Sequence, residues 1–235
     1  MPKLIIDIET VGESFDSMDE VTKETLTKWL DKDSESGQIS PSALEEVKNG
    51  LGLSPLTGHI CAIGVLDCDQ NKGVVYFDAE NSNLPESEQG SFKFKPMSEA
   101  EMLKNFWEGA KNYDTFITFN GRGFDIPFII ARSAVHNVKI TKDLMSNRYL
   151  NGQRGPTHID LLDQLSFYGA MRRSSLHLWC RALGIESPKK AGVNGGDVAE
   201  LFAAKKYLDI ARYNTRDLVA TKELYERWSG YMLAN

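Results

Sequence analysis

Residues 3–10 read KLIIDIET. The run is β-branched and too short for a typical helix, so it predicts a buried strand. Side chains alternate across a strand. Leu4, Ile6 and Ile8 therefore leave from one face, and Asp7 and Glu9 share the other. Two carboxylates side by side on a buried strand repel each other and lose hydration. Something positive has to compensate them, and a divalent cation with hard oxygen ligands, Mg²⁺ or Mn²⁺, does so economically. The competing reading is a strand whose end runs out into water.

Working outward, residues 12–57 break the pattern. They are acidic and Ser-rich, with helices expected around Val21–Asp31 and Pro41–Asn49, and they read as an insertion between two strands. His59–Leu66 and Gly73–Phe77 predict an antiparallel hairpin. Ser98 and Glu101 have capping-box spacing ahead of the stripe Leu103, Phe106, Trp107 and Ala110. Asp114–Phe119 predicts a strand, Asn120–Gly123 a turn, and the region from Asp125 a helix with Pro127 in its first turn. A strand at His158–Leu162 and a helix at Leu176–Leu183, ended by Gly184, follow. Asn194–Gly196 reads as a loop before an N-cap at Asp197. The last helix spans Tyr207–Trp228, with the stripe Tyr207, Ile210, Ala211, Leu218, Tyr225 and Trp228. Antiparallel strands followed by helix–strand alternation predict an α/β fold, a mixed β-sheet flanked by helices.

The chain has 235 residues, 41% hydrophobic and 26% charged, which excludes wholesale disorder, collagen and a disulfide scaffold. No run of 18 apolar residues exists, so no membrane span is expected. MPKLIIDIET lacks the succession of regions of a signal peptide. Three cysteines, Cys61, Cys68 and Cys180, without a C-x-x-C, predict reduced thiols. The expected location is cytoplasmic. The net charge of −6 argues against coating nucleic acid through bulk charge. Residues 13–50 hold ten acidic and four basic side chains and carry that whole excess, so the insertion is expected on the rim of any phosphate-binding groove or away from it. Arg172, Arg173, Arg181, Lys189 and Lys190 cluster against Glu186 alone; a phosphate-binding face and a solvated basic surface fit them equally.

Two further carboxylates stand out. Asp125 follows the turn after a strand and has the position of an N-cap; capping engages one oxygen and leaves the other for a metal. The Gly121-x-Gly123 pair falls short of a dinucleotide fingerprint, because the third glycine would have to stand at Ile126. Tyr213 and Asp217 are spaced i, i+4 and share one helix face. His158 and Asp160 share a strand face, and the plainer reading of His158 is a satisfied structural histidine.

Taken in order, Asp7-Ile8-Glu9, then Asn120 through Phe124-Asp125, then Tyr213 through Asp217 make D-x-E, N-x-x-x-F-D and Y-x-x-x-D. The set resembles the DEDD exonucleases, and the tyrosine the DEDDy branch. FITFNGRGFDIPFI (116–129) and ARYNTRDLVATKELYERW (211–228) look most like the predicted 3′–5′ exonucleases related to the proofreading domain of family-B DNA polymerases. Ser175–Leu183, Lys189 and Gly195–Val198 follow that family's spacing, and the resemblance runs from Lys3 to Trp228.

The resemblance implies a ribonuclease H-like fold, with residues 1–235 as one exonuclease domain carrying an acidic insertion at about 12–57. It implies that Asp7, Glu9, Asp125 and Asp217 bind two divalent metal ions, Mg²⁺ or Mn²⁺, about 4 Å apart, with Asp7 shared. Tyr213 would orient the attacking water, since a phenol with a reference pKa of about 10 is a poor base at neutral pH. Asn120 and Phe124 would hold the 3′-terminal nucleotide. The implied substrate is the 3′ end of single-stranded DNA or RNA, with DNA expected, and the product a nucleoside 5′-monophosphate. Arg122, Arg172, Arg173 and Lys189 are candidates for phosphate contact. The alternative is a catalytically inactive scaffold of the same fold that binds nucleic acid or a protein partner.

Overall fold

The computed structural model describes residues 1–30, 39–79, 82–191 and 197–233. In chain order its strands are β1 (Lys3–Gly12), β2 (Gly58–Asp67), β3 (Lys72–Phe77), β4 (Ser87–Gln89), β5 (Phe92–Pro96), β6 (Thr115–Thr118) and β7 (Thr157–Asp160). Helices α1 (Glu20–Thr27) and α2 (Pro41–Gly50) lie between β1 and β2, α3 (Glu99–Ala110) precedes β6, and α4 (Asp125–Val135) precedes β7. Then come α5 (Leu161–Leu165), α6 (Leu176–Leu183), α7 (Val198–Ala203) and α8 (Tyr207–Tyr231). The strands form one mixed sheet in the order β4-β5-β3-β2-β1-β6-β7. β1 pairs antiparallel with β2 and parallel with β6, and β3 pairs parallel with β5. Among the described residues no helix is long and apolar enough to cross a membrane.

The alternation in KLIIDIET divides the molecule. Leu4, Ile6 and Ile8 pack with Met102, Leu103, Phe106 and Trp107 of α3 and Ile126 and Ile129 of α4. Ile5, on the opposite face, joins Ile210, Ala211, Leu218 and Leu224 of α8. A fully buried Ile or Leu at such a position contributes about 1.5–3 kcal/mol. The Ser98–Glu101 capping box is formed at the start of α3. Its neighbour Glu99 is buried and accepts hydrogen bonds from the Ile60 amide and the Arg132 guanidinium, with His136 Nε2 at 2.6 Å. The bonds from Arg132 and Ile60 outweigh desolvation and hold this carboxyl below its ordinary value. Gly184 closes α6 with φ +69°, a left-handed turn that glycine adopts without strain.

Several boundaries differ from expectation. β4 and β5 extend the sheet beyond the predicted hairpin. β7 stops at Asp160 because its carboxylate accepts the Leu162 amide and starts α5. The insertion helix α1 ends at Thr27; its expected end at Asp31, and the loop expected at Asn194–Gly196, lie outside the described residues. The insertion returns onto the end of β1. Its last turn, Leu51–Leu53, presses backbone to backbone on the end of β1, where a Cβ on Gly12 would lie 2.7 Å from Leu51 Cβ and 2.9 Å from Gly52 N. Thr10 Oγ1 donates to Gly52 O at 2.6 Å and Arg132 to Pro55 O at 3.3 Å, fastening this return to the core.

Candidate active site

β1 pairs with β2 along its length, but with β6 only at Lys3, Leu4 and Ile5. Past that point, among the described residues, the side of β1 facing β6 has no strand beside it. The Ile8 amide there donates to Asp125 Oδ1 at 3.1 Å. Asp125 is the first residue of α4, and it straps that helix to β1 with one oxygen.

Asp7 and Glu9 face α8. Tyr213, Asn214 and Asp217 are all buried on that helix. Oxygens of Asp7, Glu9 and Asp217 lie within 4.8 Å of one another. Asp125 stands outside this trio. Asn214 Nδ2 donates to Asp7 Oδ2 at 2.7 Å, and a further hydrogen bond from Asn214 opposes the rise in the Glu9 pKa. Gly64 of β2 stands opposite Asp7. A Cβ there would fall 1.7 Å from Asn214 Oδ1, so the missing side chain is the space that Asn214 occupies. That Oδ1 is buried and, among the described residues, has no hydrogen-bond partner.

The electrostatics follow from burial. Desolvation, then repulsion from Asp217, Glu9 and Asp125, pushes Asp7 well above the carboxylate range. Glu9 moves the same way, through burial and then Asp217. Asp125 is pushed up to about 7 by burial, against the bonds it accepts from its own amide and that of Ile8. Asp217 rises to about 6, also by burial, opposed by the Tyr213 hydroxyl and the charges of Arg216 and Lys189. Burial and the neighbouring carboxylates drive Tyr213 upward, so it is a neutral hydrogen-bond donor at neutral pH. A cluster that resists carrying its own charge, built of oxygens alone, fits one or two hard divalent cations.

The trio opens into a cleft of about 500 Å³ lined also by Asn120, Arg173, Lys189 and Tyr213. A second recess of about 600 Å³ shares Ile8 and Glu9 with it and is lined by Phe124 and by Lys48, Gly52 and Leu53 of the insertion. Asn120 and Phe124 thus occupy adjoining recesses that meet at Glu9. The insertion, expected on the rim of the groove or away from it, lines the second recess at its edge on the cleft. It presents there Glu13, Lys48, Asn49 and a backbone turn, so only one of its ten acidic side chains lines the recess.

The turn carrying Asn120 is held by Asp160, which sequence reasoning placed only as a neighbour of His158. Asp160 accepts the amides of Asn120 and Arg122, each at 2.9 Å, and Asn120 itself is left-handed at φ +65°. His158 is buried between Thr118 Oγ1 and Leu144 O, both at 2.9 Å, and desolvation lowers it to about 4. It is a neutral structural residue. Arg122 donates to Leu144 O and Met145 O, which anchors its guanidinium to the backbone beside the turn. Arg173 bonds Asp163 and still lines the cleft; Arg172 is exposed. Asn214 and Gly64 were missed. An isolated glycine inside a strand pattern signals close approach of another group, and Gly64 carried that signal.

The fold resembles that of the family-B DNA polymerase of the archaeon Pyrobaculum calidifontis, with a TM-score of 0.58 and 16% identity over 97% of this chain and 24% of that one. This mixed seven-stranded sheet with flanking helices is the ribonuclease H-like architecture. In sequence, the chain is 25% identical to DNA polymerase 1 of Sulfurisphaera ohwakuensis over 93% of its length and 26% of the polymerase. It is 28% identical to DNA polymerase 1 of Sulfolobus acidocaldarius over 66% of its length and 19% of that protein. The chain therefore spans about a quarter or less of these relatives. Residues 59–232 match the family described as predicted 3′–5′ exonucleases related to the exonuclease domain of PolB, and the chain belongs to that family.

Proposed function

We propose that this protein is a divalent-metal-dependent 3′–5′ exonuclease that removes nucleoside 5′-monophosphates from single-stranded nucleic acid, with DNA as the preferred substrate. The observation that carries the reading is the convergence of Asp7, Glu9 and Asp217 within 4.8 Å in an open cleft beneath Tyr213. These three carboxylates would hold the metal, Mg²⁺ or Mn²⁺, and Asp125 would join through Oδ2, its Oδ1 being engaged by Ile8. Bound there, two divalent ions supply a more acidic water and charge neutralisation at the phosphodiester.

The protein's own residues do the rest. Asn214 fixes one oxygen of Asp7 at 2.7 Å and leaves the other for a metal. Tyr213, neutral and beside Asp217, orients the attacking water by donating or accepting a hydrogen bond, and it removes no proton. Asn120 and Phe124 border the recesses on which the terminal nucleotide would rest, and Lys189 and Arg173 offer positive charge to its phosphates.

The test is digestion of 3′- and 5′-labelled single strands, duplex DNA, RNA and closed circular single strands with Mg²⁺ or Mn²⁺. Stepwise loss from the 3′ end is expected, abolished in Asp7→Ala and slowed by a terminal phosphorothioate. Cleavage of the closed circle at a comparable rate, or near-full activity in Asp7→Ala, would overturn the reading.

A further inference from the structure

Ser166–Met171 is a tight loop whose geometry is unusual for its residues. Phe167 and Tyr168 are consecutive and both left-handed, with φ of +49° and +55°, a backbone state that bulky side chains hold only when their surroundings enforce it. Here Ser166 O accepts the amides of Gly169 at 3.0 Å and Met171 at 2.9 Å, and the Tyr168 hydroxyl accepts Gln164 Nε2 at 2.8 Å. The Tyr168 ring packs on Tyr149, centroids 4.7 Å apart. The outcome is not a buried core. Phe167 is left 56% exposed and Tyr149 58% exposed.

Positive charge runs beside these rings. Buried Asp163 accepts from both Arg148 and Arg173, so two guanidinium groups share one carboxylate and a unit of positive charge is left over. Each arginine side chain is about half exposed, 48% and 50%. Arg173 also lines the cleft that holds Asp7 and Asp217, Arg148 adjoins Tyr149, and exposed Arg172 follows the loop. Asp163 thus ties Arg173, at the cleft, to Arg148, the chain neighbour of Tyr149, and Tyr149 in turn packs on the loop that carries Phe167.

Interleaved guanidinium groups and exposed ring faces are what a single strand needs from a protein, charge for the backbone and a flat surface for each base. We infer that this surface binds the part of a single-stranded nucleic acid lying 5′ of the nucleotide being removed, with phosphates on Arg148, Arg172 and Arg173 and bases stacked on Phe167 and Tyr149. The inference rests on the exonuclease reading. It also explains how a chain of net charge −6 would retain a polyanion: the attraction is local.

Binding of labelled single-stranded oligonucleotides of two to about twelve nucleotides, measured by fluorescence anisotropy in EDTA, isolates this surface from catalysis. Affinity should rise with length in the wild-type protein. In Phe167→Ala and Tyr149→Ala the affinity for the longer oligonucleotides should fall about tenfold, the scale of one lost base stack, and Phe167→Trp should restore it. Arg172→Gln, at an exposed position and so safe for folding, should reduce the salt slope of binding by about one. Unchanged length dependence in all these variants overturns the inference. So does a change in sedimentation mass of Phe167→Ala with unchanged affinity, which makes the patch a contact between proteins. Wild-type digestion of a long 3′-labelled single strand at high concentration keeps the two readings apart: its absence faults the exonuclease proposal, and its presence without any length-dependent binding faults this surface.

Discussion

Gly64 and Asn214 act as a unit, because the space left by one is filled by the other and the result is the orientation of Asp7. Gly64→Ala would push a methyl group to 1.7 Å from Asn214 Oδ1 and 2.7 Å from Leu218 Cδ1. Overpacking of this kind costs about 1–3 kcal/mol, and Asp7 should lose its partner as Asn214 moves. Asn214→Ala leaves Asp7 unsupported, and Mn²⁺ affinity should fall about 10- to 100-fold, as for other residues that orient ligands. It also vacates the space the new methyl needs. The double variant should therefore be more stable than the sum of the two single changes by about 0.5–3 kcal/mol in a denaturation cycle. Strict additivity would show that the two side chains do not compete for one volume. Tyr213→Phe should bind metal and oligonucleotide normally and lose about 10²-fold in kcat. Its pH–rate profile should keep the rising limb of the parent; loss of that limb would make Tyr213 a true base.

The elements that hold the site were legible in proportion to how strongly local chemistry specified them. β1 declared itself by alternation, α3 by its capping box and α8 by a stripe whose members Tyr207, Ile210, Ala211, Leu218 and Trp228 are buried, while Leu224 lies deeper than the expected Tyr225. β5 also alternates, Phe92 and Phe94 inward and Lys93 outward, but it is five residues long and its parallel partner β3 is not its hairpin partner, so nothing local announced the pairing. β4 is three exposed residues and carries no pattern. Asn214 escaped notice because an asparagine inside a helix has no spacing rule; only the fold brings it to Asp7. Net charge averaged over the insertion could separate neither the rim from a more distant place nor its ends from its middle, and it is the two ends, Glu13 and Lys48–Leu53, that line the recess. Replacing residues 14–50 with a Gly-Ser linker, while keeping Leu51–Leu53, should leave the sheet folded, since Gly12, Gly52 and Gly58 still meet. It should raise KM for single strands several-fold by removing the Lys48–Asn49 wall. An unchanged KM would return the insertion to the periphery.

At the level of the whole molecule, the buried carboxylates set the pH dependence of stability. Folding raises Asp217 to about 6 and Asp125 to about 7, against 3.8 for an ordinary aspartate. Between those limits these two groups bind more protons in the native state than in the unfolded chain, so their contribution to stability falls as pH rises, and the raised Asp7 and Glu9 act in the same direction. Buried His158, lowered to about 4 from 6.5, opposes them between those values, one group against four. Glu99 and Asp163, held low by their cationic partners, act oppositely, and their contribution is lost only as pH falls below the ordinary carboxylate range. The metal-free protein should therefore melt higher near pH 5 than near pH 7.5. Asp7→Asn should melt above the parent near pH 7.5, by about 2–4 °C for each kcal/mol of repulsion relieved, and the gap should close near pH 5. Mg²⁺ or Mn²⁺ should raise the parent's melting temperature at the higher pH only. A parent and Asp7→Asn variant whose melting temperatures run parallel across that range would remove this account.

The hydrogen bond from Asn214 to Asp7 spans 207 positions of sequence. One half of the cluster is on the first strand and the other on the last helix, with nearly the whole sheet between them. During synthesis the strand emerges early, and its two carboxylates wait without their counterpart until α8 has been made and has docked. A nascent chain is therefore unarmed. On the proposed function, it can fold its sheet beside the RNA that encodes it and would gain nuclease activity only when α8 docks. Any truncation or nick that frees α8 should silence the chemistry while most of the fold remains.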